Sequence, residues 1–231
     1  MEINLLATFS LIVGLELVLG IDNILLISII TDRVNEQARN KVRFLGLGLA
    51  LAARLLLLLG ASFLVKLDEP IISGLSYKGL VLILGGAFLL YKAVKEIHHT
   101  VESQAVELDS EKKPRMSFAE ALIQILVLDI VFSIDSIITA VGLTDNLLVI
   151  YLAVIVSFIV VLIFSGAIAS FIHKNATVKI LALSFLITIG VTLVVEGLGG
   201  HVPKAYIYLP MGFALAVELL QLRFQHNQSK K

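Results

Sequence analysis

Four carboxylates stand inside long apolar runs of this chain: Glu16 and Asp22 in the first run, Asp129 and Asp135 in the fourth. A charge at the centre of a bilayer costs roughly 2.5–3.5 kcal/mol on insertion scales, so such a residue faces a cavity, a partner or a substrate. In each run the two acids are six residues apart. On a helix that is about 120° of rotation, which lets both border one wide cavity. Asn23 and Ser136, each directly after an acid, add neutral oxygens. The expected metal ligands are therefore Glu16, Asp22, Asn23, Asp129, Asp135 and Ser136. Oxygen donors of this kind suit hard or intermediate cations such as Mn²⁺, Mg²⁺ or Ca²⁺. Water and protons can use the same groups, so the residues do not select the ion.

Arg54 is the one base near the middle of an apolar run. It can offset part of the acidic set, as an ion-pair partner or a snorkelling side chain. Protons, a cation or hydrogen bonds between helices must satisfy the rest. Glu196 and Glu218 form a second tier with Arg54, each near the end of a run. Glu120 reads as a charge favoured by the dipole at a helix N-terminus. His98 and His99 are adjacent, so on a helix they point roughly 100° apart and do not form a ligand pair. The chain has no cysteine and three scattered methionines, which leaves no thiolate or thioether metal site. No nucleophile and base recur at a diagnostic spacing, and no cofactor is required; the expectation is that the protein is not an enzyme.

Helices long enough to hold these acids at depth come from the composition. Of 231 residues, 58% are hydrophobic and 16% charged, with 18 basic against 18 acidic. A soluble chain of this length is near a quarter charged. No basic nucleic-acid-binding surface is implied. Apolar runs lie at about Leu5–Ile30, Phe44–Val65, Leu75–Val94, Phe118–Gly142, Leu147–Ile172, Ile180–Gly197 and Ala205–Leu222, each near the 20 residues needed to span a bilayer. These predict an all-α polytopic membrane protein with seven transmembrane helices. Met1–Asn4 lacks a positive n-region, so the first helix is expected to be retained as a span. With the N-terminus outside, 14 basic residues fall on the cytoplasmic side and Lys66, Lys78 and Lys204 fall outside. The positive-inside rule then places the C-terminus in the cytoplasm.

The first and fourth runs repeat. A constant offset of 113 pairs Glu16 with Asp129, Asp22 with Asp135, Asn23 with Ser136, and Thr31-Asp32 with Thr144-Asp145. Three helices per copy give opposite orientations, hence an inverted 3+3 repeat plus a seventh helix. The expected divisions are a first three-helix transmembrane repeat over 1–95, a cytoplasmic loop over 96–117, a second and inverted repeat over 118–200, and a seventh helix with a cytoplasmic tail over 201–231. Secondary transporters place sites between such halves. On straight, centred helices Glu16 and Asp129 would lie about 2 Å either side of midplane, with Asp22 and Asp135 near 7 Å towards opposite faces. Gly20 is a candidate for a break in the first helix.

Three segments carry a family resemblance: Gly20-Ile21-Asp22-Asn23-Ile24, Leu128 through Gly142, and His201-Val202-Pro203-Lys204-Ala205-Tyr206-Ile207-Tyr208. Together the chain resembles the TerC family of bacterial membrane proteins, named for tellurium resistance. The resemblance implies a divalent-metal exporter of the inner membrane, with manganese the leading substrate and Ca²⁺ or Mg²⁺ the other candidates. It marks Glu16, Asp22, Asp129 and Asp135 as ion-pathway residues. Alternating access, with protons as counter-ion, is the expected mechanism. The contrasting expectation is a membrane scaffold, or a metal-dependent partner of stress or secretion machinery, whose acids are structural. The partners expected are the lipid bilayer and the cation, with no nucleic acid. Oligomeric state is open; Gly46, Gly60, Gly85 and Gly86 allow close helix contact.

Overall fold

The structure is a computed structural model that describes residues 2–67, 70–72, 75–102, 116–144 and 146–228. In chain order these form α1 (Glu2–Asp32), α2 (Glu36–Leu59), α3 (Ala61–Lys66), β1 (Pro70–Ile72), β2 (Leu75–Ser76), α4 (Tyr77–Glu102), α5 (Phe118–Leu143), α6 (Leu147–Lys174), α7 (Ala176–Gly197) and α8 (Ala205–Gln228). The two strands pair antiparallel as a small hairpin. Asp145 and most of the expected 96–117 loop lie outside the described residues, while the loop's first part, through Glu102, continues α4.

Among the described residues six helices, not seven, are long and apolar enough to cross a membrane: Leu5–Asp32, Glu36–Leu59, Phe118–Leu143, Leu147–Lys174, Ala176–Gly197 and Ala205–Gln225. The expected third span, Leu75–Val94, is the one that drops out. It begins in β2 and continues into α4, where Lys78 and Lys92 bracket thirteen residues. That is ~20 Å of helix, against a hydrocarbon core of ~30 Å. With six spans the count of three crossings per unit no longer holds. The inverted 3+3 repeat plus seventh helix, which rested on that count, is corrected with it.

The sequence-matched helices α1 and α5 each lie along the helix that follows the other: α1 on α6, and α5 on α2. The remaining large contact is α4 on α7. Both α1 and α5 run unbroken through their acids. Gly20 is no hinge but a point of close approach, since a Cβ there would come within 2.5 Å of Val161 Cγ2 on α6. At the start of α5, the Ser117 side chain accepts from the Glu120 N–H at 3.1 Å, the first half of a capping box.

The α4–α7 seam is built of glycines facing glycines. A Cβ on Gly79 would meet the Gly197 carbonyl at 2.5 Å, and one on Gly86 would meet the Gly190 carbonyl at 2.7 Å. Close backbone approach of this kind is how helices associate where lipid removes the hydrophobic drive between them. Gly46 and Gly85 likewise admit Ile125 and Val131 of α5, so these small residues serve packing within one chain. Gly86→Val is expected to cost about 1–3 kcal/mol by overpacking. Gly48, which has open space where its Cβ would be, should tolerate the same change. Thermal unfolding of the two variants in detergent checks this, and equal midpoints would refute the seam.

Candidate functional site

The first cluster of buried charge joins α1, α2 and α5. Arg54 of α2 donates through Nη1 to Glu16, through Nη2 to Asp129 Oδ1 at 3.2 Å and through Nε to Ser133 Oγ at 3.0 Å. Ser133 lies one turn after Asp129 on α5 and donates to its Oδ2 at 3.2 Å, while Asn23 Nδ2 of α1 reaches Oδ1 at 3.3 Å. Glu16 is 3% exposed, Asp129 5% and Arg54 8%. The planar guanidinium supplies several donors in a fixed fork, so it can hold two carboxylates at once. A small cavity of about 30 Å³ opens beside them, lined by Gly20 and Asn23 of α1 and by Ser157 and Phe158 of α6 among others. Among the described residues two acids face one base here.

A second cluster joins α1, α5, α7 and the approach to α8. Asp135 of α5 takes Lys204 Nζ at 2.9 Å and Lys78 Nζ at 3.4 Å. Lys204 also reaches Glu196 of α7 at 3.5 Å. Across the cavity, Tyr208 donates its hydroxyl to Asp22 Oδ2 at 2.9 Å. Asp22, Asp135, Glu196, Lys204 and Tyr208 all line one cavity of about 30 Å³. Asp22 Oδ1 and Glu196 Oε2 are buried without a hydrogen-bond partner. Burial works against the Lys204 charge, but Asp135 above all, and then Glu196, outweigh it and hold the ammonium above its ordinary range. Among the described residues three acids stand with two cations here, and Asp22 pairs with neither.

The acids are thus grouped two and two, rather than spaced singly as rungs across the bilayer. A larger groove of about 580 Å³ between α1, α5 and the start of α8 has Glu16, Asp135 and Lys204 in its lining and so touches both clusters. Ser136 lines that groove and donates to the Ser133 carbonyl at 3.3 Å. Glu218, half-buried on α8, lines neither cluster. Among the described residues no three His, Cys, Asp or Glu side chains gather closely enough to hold a metal ion; bases stand against the acids instead.

Sequence reasoning did not single out Lys78, Lys204, Tyr208 and Ser133 as site residues. Lys78 and Lys204 had been read as charges beyond the membrane, yet both fold back onto Asp135. The spacing of Lys204 and Tyr208, one helical turn apart in a motif already conspicuous, was the available signal. A third polar set, at the far end of α1, was also missed as a unit. Asp32 meets Lys179 at 2.7 Å, His173 at 3.2 Å and Arg39 at 3.5 Å, while Glu96 meets Arg33 at 2.5 Å and Lys179 at 3.2 Å. It ties α1, α4, α6 and α7 together beyond an apolar layer that includes Ile30, Leu89, Leu128 and Leu186.

The family model described as integral membrane protein TerC family matches residues 1–231. A UPF0053 protein of Haemophilus influenzae is 42% identical over 216 residues, covering 92% of this chain and 91% of its own length. The UPF0053 inner membrane protein YgdQ of Escherichia coli K12 is 42% identical over 212 residues, covering 90% and 88%. A UPF0053 protein of Buchnera aphidicola is 44% identical over 228 residues, 95% of this chain but only 44% of that protein. The chain therefore spans nearly all of some relatives and under half of others. No solved structure matches it.

Proposed function

Because the chain belongs to the integral membrane protein TerC family, we propose that it is a divalent-cation transporter of the bacterial inner membrane, with manganese efflux as its leading activity. The observation that carries this reading is that, among the described residues, carboxylates outnumber bases by one in each of two buried clusters built from the same repeated positions of α1 and α5. An uncompensated charge in a membrane interior is held at a cost that structure alone does not repay. A cation or proton passing between the clusters would neutralise each in turn, and the groove touching both offers the connection. Manganese and the outward direction come from the family resemblance. The inner-membrane location is supported by the name of the Escherichia coli relative.

The scaffold reading has one observation in its favour: Arg54 satisfies both Glu16 and Asp129 internally, as a structural lock would. Flux by the purified wild-type chain in proteoliposomes separates the two. Transport predicts saturable Mn²⁺ movement above protein-free vesicles, with Ca²⁺ and Mg²⁺ as comparisons. Folded protein that moves none of the three would leave the scaffold reading standing.

A further inference from the structure

We propose that Lys204 is a tethered counter-ion: its ammonium fills the carboxylate site that a divalent cation takes during transport, and it leaves with the start of α8 when the cation binds. This rests on the transport reading and assigns a residue that decides when the site is open.

Lys204 differs from Arg54 in how it is held. Arg54 projects from the middle of α2 and is fixed by three acceptors on two helices. Lys204 reaches in from the connection before α8, and its side chain is 35% exposed against 14% for Asp135 and 11% for Glu196. One turn on, Tyr208 from the same segment occupies Asp22. A single movement of this segment would therefore release Asp22 and Glu196 together and leave Asp135 held by Lys78 of α4.

Irregular backbone lies on both sides of the segment. It follows Gly199, whose φ of +87° favours glycine, and Pro210 interrupts the hydrogen-bond ladder inside α8. Few side chains of the helix pack inward: Ile207 and Met211 are its buried apolar side chains, while Tyr206, Leu209 and Phe213 are exposed.

The cavity also shows an unmet demand for positive charge. Asp22 Oδ1 and Glu196 Oε2 are buried acceptors with no donor, on two of the three acids that line it. About 30 Å³ exceeds the ~10–15 Å³ that one water-sized guest needs. The three acids do not now close into a metal site, and an ammonium bridging Asp135 and Glu196 is a sufficient cause. A divalent ion in its place would add one charge to the cavity and supply the electrostatic partner that the two orphaned oxygens lack.

An occupied site weakens apparent affinity by the fraction of time it is closed. Removing the ammonium should therefore tighten binding even as it harms the cycle. Equilibrium Mn²⁺ binding to the full chain in nanodiscs is expected to tighten about tenfold in Lys204→Gln and to stay near wild type in Lys204→Arg, with turnover slowed in Lys204→Gln. In the wild type, labelling of the Lys204 amine by a small acylating reagent should rise several-fold when Mn²⁺ is added. Unchanged or weaker binding by folded Lys204→Gln would overturn the proposal. So would labelling indifferent to Mn²⁺ in protein that transports it, and this arm decides alone if Lys204→Gln does not fold. Loss of all wild-type flux would instead remove the transport reading on which the proposal rests.

Discussion

Arg54→Met is expected to destabilise the protein by about 3–5 kcal/mol, the range for a buried ion pair that loses one partner. The guanidinium touches Glu16, Asp129 and Ser133, and all four side chains are sealed from solvent. Methionine fills much of the volume but leaves two acids facing each other across α1 and α5. Thermal unfolding in detergent, together with the yield of folded protein, reads the loss. The triple change Arg54→Met, Glu16→Gln, Asp129→Asn should recover most of it, because replacing a whole buried ionic set with neutral groups is often close to energetically neutral. Recovered stability with flux still absent would show that the set is retained for transport. Full stability of the single variant would refute its structural part.

The acids were legible because a carboxylate in a lipid-spanning run carries a cost that few other features share. Glu16, Asp22 and Asp129 stand out in one line of sequence, and all three are buried. The helices matched by the offset of 113, α1 and α5, pack on α6 and α2 respectively. The span count failed on α4 for a related reason. Apolar composition over Leu75–Val94 resembles a span, whereas the distance between Lys78 and Lys92 sets what lipid can cover. That helix is buried by its glycine seam with α7 rather than solvated by lipid alone.

The partners were harder to read than the acids. Hydropathy treats a lysine beyond a run as a charge in water, and nothing in that measure says whether the chain folds back. Lys78 and Lys204 do fold back, from opposite halves of the sequence, onto the same Asp135. Asp32 was noticed for its place in the repeat, yet its partners Arg39, His173 and Lys179 come from three other helices. Such pairings become visible only once helix packing is known. Glu218 resembled Glu196 in sequence, each an acid near a helix end. Glu196 faces Lys204 while Glu218 remains half-buried on the loosely packed α8.

Asp22→Asn separates transport from stability more sharply than any other single change. Asp22 has no ion-pair partner among the described residues, and its one hydrogen bond, from Tyr208, can be accepted by an amide oxygen. The pairs of Asp135 with Lys204 and Lys78 would stay intact while the cavity loses the carboxylate that pairs with neither lysine. Flux is therefore expected to fall at least ~100-fold, equivalent to ~2.7 kcal/mol in the barrier, with stability within about 1 kcal/mol of wild type. Asp135→Asn should lose comparable flux but also about 2 kcal/mol of stability, less than the ~3–5 of a fully buried pair, because two ammonium groups are left with a weaker partner. Proteoliposome flux and detergent unfolding, measured on both variants, test the contrast. Wild-type flux in folded Asp22→Asn would remove the carboxylate cavity from the ion pathway. Equal destabilisation of the two would show that Asp22 is held for packing, since the difference arises only if Asp22 faces the cation and Asp135 faces the lysines.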